Sequence, residues 1–128
     1  MKKQIEVKKI KESFFNNNPQ LIEAIYDKDR GYGYLTLLIE GYHFAIPLRS
    51  SIKHSYCFRV NTSPLSEGVK GLDYTKALIV DSVYLDKTFV IDNAEYQRIF
   101  RNQSRIIKSS KIMKKFLLNI MELIDLQL

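Results

Sequence analysis

The sequence predicts an α+β protein, with a β-rich body over about residues 1–91 followed by a helical segment over about 93–126. Three observations carry that expectation. Leu35 to Ile39 and Tyr42 to Leu48 are apolar, aromatic and β-compatible runs flanking Glu40-Gly41, a pair short enough for a tight hairpin turn. Ala77 to Val80 is a wholly apolar run suited to a buried strand. From Asn93 the period changes: Ile99, Ile106, Met113 and Ile120 recur every seven residues, with Ile107, Leu117, Met121 and Ile124 widening the stripe, as on a helix with one buried face.

The remaining elements follow in chain order. Gln4 to Ile10 alternates imperfectly, with Ile5 and Val7 on one side and charged neighbours on the other, which predicts a strand at a sheet edge. Asn16 to Asn18 and Pro19 signal a loop or helix start, and Leu21, Ile22 and Ile25 place a short helix over Pro19 to Tyr26. Ser55 to Val60 reads as the strand after the hairpin. Asn61 to Gly71 gathers Pro, Gly, Ser and Asn and is predicted to be a long loop. Thr88 to Ile91 adds a short strand. In the helical segment Ser109-Ser110 is the expected break between two helices.

Length and composition narrow the function. The 128 residues suit a single domain with one core. Lysine and arginine number 20 against 14 acids, a net charge of +6, which directs attention to polyanionic partners. Cys57 is the only cysteine, so no intramolecular disulfide forms and a cysteine-rich metal site is excluded; a reducing cytoplasm is the expected location. The N-terminal residues do not read as a secretory signal, and no stretch approaches the ~20 apolar residues that span a bilayer.

Two basic groups stand out. The hairpin brings Arg30, ahead of its first strand, toward the end of its second, so that Arg30, Arg49, Ser50, Lys53 and His54 converge. Arginine suits a bidentate grip on phosphate, and fixed cations stabilise the extra charge of a pentacoordinate phosphorane. RNA supplies its own nucleophile, the 2′-hydroxyl, so a protein need only orient the strand, neutralise charge and shuttle a proton, the last a task for His54. Between Arg98 and Lys115 there are seven basic side chains and no acid. Arg98, Arg101, Arg105 and Lys108 are spaced to share one helix face and track a phosphate backbone; the alternative is an ordinary solvated face opposite the apolar seam. Lys8 and Lys9 extend the basic set, and Tyr32, between two glycines and beside Arg30, is the tyrosine best placed to stack on a base.

Other chemistry lacks its signature. Gly31, Gly33 and Gly41 form neither a phosphate loop nor a dinucleotide fingerprint, so no nucleotide cofactor is expected. His43 and His54 have no cysteine or carboxylate at a metal-ligand spacing. Ser50, His54 and Asp73 compose a triad only on paper, with no nucleophile-elbow sequence around the serine.

Four segments, in order and at roughly the family's spacing, carry a resemblance: Arg30-Gly-Tyr-Gly33, Phe44-Ala-Ile-Pro-Leu-Arg49, Ile52-Lys-His54 and Gly71-Leu-Asp-Tyr-Thr-Lys76. The chain resembles the RNA-cleaving toxins of bacterial type III toxin-antitoxin systems, the ToxN/AbiQ-like superfamily, and looks nearest its TenpIN branch. The resemblance implies a compact, strongly bent antiparallel β-barrel, MazF/Kid-like and SH3-like, with added helices. It implies metal-independent cleavage of RNA to a 2′,3′-cyclic phosphate, inhibition by a structured, repeat-encoded antitoxin RNA, a heteromeric assembly that is often a closed ring, and a role in phage defence. Better-known members have a basic residue ahead of the hairpin and a Thr-Ser pair after Pro-Leu. Arg30 matches the first and Ser50 the serine, while Arg49 stands in place of the threonine, as in the TenpIN-like pattern. A noncatalytic RNA-binding module on the same barrel is the alternative, and a protein-binding SH3-like barrel a third reading.

Overall fold

The computed structural model describes residues 5–17, 33–60 and 69–127, with side chains from Glu6 to Lys115 within those ranges. The predicted helix over Pro19 to Tyr26, most of the predicted Asn61–Gly71 loop, and Arg30 and Tyr32 lie outside the described residues. The architecture is α+β. Seven strands, β1 (Ile5–Ile10), β2 (Tyr34–Ile39), β3 (Tyr42–Ile52), β4 (Cys57–Arg59), β5 (Val69–Asp73), β6 (Leu78–Val80) and β7 (Leu85–Thr88), pair antiparallel. Among the described residues three α-helices accompany them: α1 (Glu12–Asn16), α2 (Asn93–Arg101) and α3 (Gln103–Gln127). None is long and apolar enough to cross a membrane.

The strand path runs β4-β5-β3-β2-β1-β7, with β6 joining at β3, and its two ends do not meet. β3 organises the body. One edge pairs with β2 through the predicted hairpin, from Ile39↔Tyr42 to Tyr34↔Pro47. Glu40 and Gly41 both have positive φ, 51° and 86°, as a two-residue turn of this twist requires. The other edge of β3 takes β6 opposite His43 to Ala45 and β5 opposite Leu48 to Ile52. Between β5 and β6 the chain makes one 3-10 turn, Tyr74–Lys76, whose start is capped by Asp73.

Alternation along β3 gives the sheet two covered faces. Phe44, Ile46 and Leu48 face a core shared with Leu35, Leu37, Phe58, Leu72, and Ile99 and Ile106 of α2 and α3. Ala45 faces a second cluster in which Phe14 and Phe15 of α1 pack on Tyr34, Leu78 and Val80.

Several expectations are corrected. β1 is not an edge strand, since it pairs with both β2 and β7, and its Val7 enters the core. Val69 to Gly71, expected to be loop, belongs to β5, paired on both sides. The last short strand falls at Leu85–Thr88 rather than Thr88–Ile91. The helix break falls at Asn102, whose side-chain amide donates to the Arg98 carbonyl at 2.8 Å. Ser109-Ser110 is uninterrupted helix, and the buried Ser110 hydroxyl is satisfied within it by donating to the Ile106 carbonyl one turn back at 2.7 Å.

Candidate active site and nucleic-acid interface

The end of β3 carries Arg49 and Ser50, and the chain just past it Lys53 and His54, all within six residues. Its ladder with β5 is regular at Leu48↔Leu72 and Arg49↔Gly71, then slips before Ile52↔Val69, and Ser51 inside the slip has φ 57°. Such a bulge twists the strand and re-aims its side chains. Beyond it the chain turns through exposed His54, Ser55 and Tyr56 into β4.

Asp73 is the centre of the cluster. Register explains why: Arg49 faces Gly71, Cys57 faces Asp73, and residues two apart on β5 share a face, so Arg49 reaches Asp73 diagonally. Arg49 Nη1 donates to Asp73 Oδ2 at 3.0 Å. His54 Nε2 lies 3.2 Å from Asp73 Oδ1. Oδ1 also accepts from the Thr75 hydroxyl at 2.6 Å and the Thr75 N–H at 3.0 Å. The carboxylate is 1% exposed, whereas the Arg49 and His54 side chains are each 35% exposed. Burial works to raise the Asp73 pKa, but the Thr75 donors and His54 outweigh it and hold the carboxyl below its ordinary value. Cys57, opposite Asp73, is pushed the other way, first by burial and then by that charge.

Both nitrogens of His54 are engaged. Nδ1 accepts from the Tyr56 N–H at 3.1 Å, and Nε2 approaches the Thr75 hydroxyl at 3.4 Å as well as Asp73. Ser50 and Lys53 stand exposed on the same strand end, outside the Asp73 contacts. The structure therefore joins Arg49 to His54 and leaves Ser50 and Lys53 open to solvent beside them.

The paper triad is corrected in part. His54 and Asp73 do meet, though Ser50 is exposed and takes no part in that pair. The sequence signal for Asp73 was its position two residues before Thr75, the spacing by which an aspartate caps a turn with its own side chain. Thr75 and the Tyr56 amide carried no signal of their own.

The basic helix stripe lies elsewhere. Phe58, Leu72 and Leu48 form one row on the core face, and the Arg59, Gly71, Arg49 row next to it points away by strand alternation. Arg98 and Arg105 flank the Phe58 ring from the core side, each guanidinium carbon 5.8 Å from its centroid. Arg98 Nε is further tied to the Arg59 carbonyl at 2.9 Å, so Arg98 serves packing as much as charge. Arg101, Arg105 and Lys108 are exposed. On β1, Lys8 pairs with Glu6 at 3.2 Å and Lys9 lies 5.8 Å from the Phe89 ring centroid. The stripe and the Asp73 cluster thus occupy opposite faces of the sheet. A scan against models of known families finds no match, and a search of curated proteins finds no relative.

Proposed function

We propose that this chain is the endoribonuclease toxin of a type III toxin-antitoxin system, ToxN/AbiQ-like and nearest the TenpIN branch, with its β-body bent in the manner of the MazF/Kid barrels. The observation that carries the reading is the pairing of Arg49 with His54 through one buried carboxylate, at the strand end that also bears Ser50 and Lys53. A cation held by a buried partner is already oriented when phosphate arrives, so little ordering is left to the reaction itself.

Cleavage proceeds by in-line attack of the RNA 2′-hydroxyl on the adjacent phosphorus. The O2′–P bond forms, the P–O5′ bond breaks, and the 2′-proton is taken up while O5′ is protonated, giving a 2′,3′-cyclic phosphate and a 5′-hydroxyl. Arg49 and Lys53 neutralise the phosphorane, Ser50 donates to a nonbridging oxygen, and His54 shuttles the proton. Arg30 completes the charge, and Arg101, Arg105 and Lys108 hold a further stretch of RNA on the far face. In the cytoplasm a structured, repeat-encoded RNA antitoxin restrains the toxin in a heteromeric assembly, and its release during phage attack halts the host.

The occupied state of both His54 nitrogens favours a second reading, a noncatalytic RNA-binding module. Induced expression separates the two. Growth arrest with new 2′,3′-cyclic-phosphate ends in cellular RNA for the wild type, absent for the Ser50→Ala, Lys53→Ala double variant, supports the nuclease. Equal growth and unchanged RNA ends, with both proteins soluble, refute it in favour of the binding module.

A further inference from the structure

The hydrogen bonds around His54 assign its resting tautomer. Nδ1 faces a backbone N–H, which can only donate, so Nδ1 carries a lone pair. Nε2 faces an oxygen that already accepts from the Thr75 hydroxyl and amide, so Nε2 carries the proton. The neutral Nε2–H form satisfies every partner at once. Asp73 cannot itself meet a substrate at 1% exposure, but it touches both side chains that can.

Resting on the ribonuclease reading, we infer that Asp73 is the positioning residue of the site, and that Nδ1 of His54 is the atom that exchanges protons with RNA. When the 2′-hydroxyl gives its proton to Nδ1, the other ring N–H remains on the Asp73 carboxylate, which stabilises the imidazolium. The proton then passes from Nδ1 to the departing O5′, and the ring returns to its starting tautomer with no net gain or loss. The Tyr56 N–H occupies Nδ1 at rest and gives way to substrate; it sits in the exposed turn between β3 and β4. The same carboxylate ties down only Nη1 of Arg49, leaving Nε and Nη2 as the donors for phosphate.

The test begins with the wild-type chain at full length, needing no variant. A long-range ¹H–¹⁵N spectrum of the neutral imidazole, assigned by the loss of one histidine in His54→Gln, is expected to show Nε2 protonated and Nδ1 bare. An Nδ1–H form overturns the inference. Asp73→Asn places a carboxamide that donates as well as accepts, so a mixture of tautomers is expected. On a mixed-sequence RNA pool, kcat of Asp73→Asn should fall about 10²–10⁴-fold, the range for a misdirected acid–base group, with KM little changed. Thr75→Val, at an exposed position, removes one donor from the same carboxylate and should lower kcat about tenfold. Wild-type kcat in either folded variant overturns the positioning role alone. Absence of cleavage by the wild type overturns the ribonuclease reading, and this inference with it.

Discussion

Gly71 is the position where one added methyl group should matter most. A Cβ there would lie 3.0 Å from the Phe58 carbonyl carbon and 3.2 Å from Arg59 Cα, and would overlap the Phe58 carbonyl oxygen. These are backbone atoms, so no side chain can swing aside. Restoring ordinary carbon contacts of ~3.5–4.0 Å moves β4 outward by about 0.5–1 Å. Overpacking of that size costs about 1–3 kcal/mol. The shift also strains the Val60 N–H bond to the Lys70 carbonyl, now 2.9 Å, and lifts the buried Phe58 ring from between Arg98 and Arg105. A gap of that width forfeits a quarter to a half of each dispersion contact it opens. Gly71→Ala is therefore expected to lose about 2–4 kcal/mol, or about 8–16 °C in Tm for a chain of this length. Urea unfolding followed by circular dichroism measures it. Gly41→Ala is the control: its Cβ meets nothing within 4 Å, and its φ of 86° alone sets a cost of about 1–2 kcal/mol. A Gly71→Ala loss below about 0.5 kcal/mol, or no larger than the control's, would refute the close-approach argument.

The acid limb of stability reports on Asp73. Its carboxyl titrates below the ordinary value in the folded state, so its contribution is complete above the unfolded pKa of ~3.9 and disappears as pH falls through the lower folded value. The stability gap between wild type and Asp73→Asn should accordingly narrow from pH 5 downward, and a constant gap in urea titrations would contradict this. The Lys114 side chain is 3% exposed and its Nζ donates to Glu40 at 2.6 Å, while the Glu40 side chain is 72% exposed. Glu40→Gln strands a buried ammonium, whereas Lys114→Met removes the charge and keeps the packing, so the former should lower the urea midpoint more. Glutamine would meet the same backbone φ of 51° that Glu40 adopts, which leaves charge as the difference at that position. Replacing Arg101, Arg105 and Lys108 with alanine should reduce the salt slope of RNA binding by about 2 if all three touch phosphates of a single strand. Single-turnover cleavage at saturating RNA should be unchanged, because these side chains lie across the sheet from Asp73; an unaltered slope would return them to the solvated-face reading.

Much of the fold was readable where local pattern and tertiary environment agree. The hairpin is one such place, since alternation and Glu40-Gly41 specify both strands and their register. Asn93 is another, where Asp92 accepts from the Ala94 and Glu95 amides as the helix begins. β5 was missed because Val69-Lys-Gly-Leu-Asp73 has weak strand propensity and follows a loop-like stretch; β3 and β4 on either side make it a strand. β7, Leu85-Asp-Lys-Thr88, carries charge where apolar alternation would have announced it. α1 is five residues long, too short for a helical period to show.

The site was legible as a list of cations but not as an arrangement. Arg49 and His54 are five residues apart in sequence, and nothing local says that they share a partner. Asp73, 24 residues beyond Arg49, becomes that partner only because the β3–β5 register sets Arg49 against Gly71, one diagonal step away. The same register separates what composition had merged. Charge counting treats Arg49, His54, Arg101 and Arg105 as one basic surface, yet a strand's period of two sends Arg49 to one side of the sheet and Phe58, with the arginines around it, to the other. A single extended RNA strand running straight along the helix stripe therefore does not also lie over Asp73. It must pass around the sheet edge at β4, or two segments must engage the two faces. On the proposed ribonuclease reading, that division allows affinity and chemistry to be altered independently, and the triple stripe variant and Asp73→Asn should then act on separate kinetic terms.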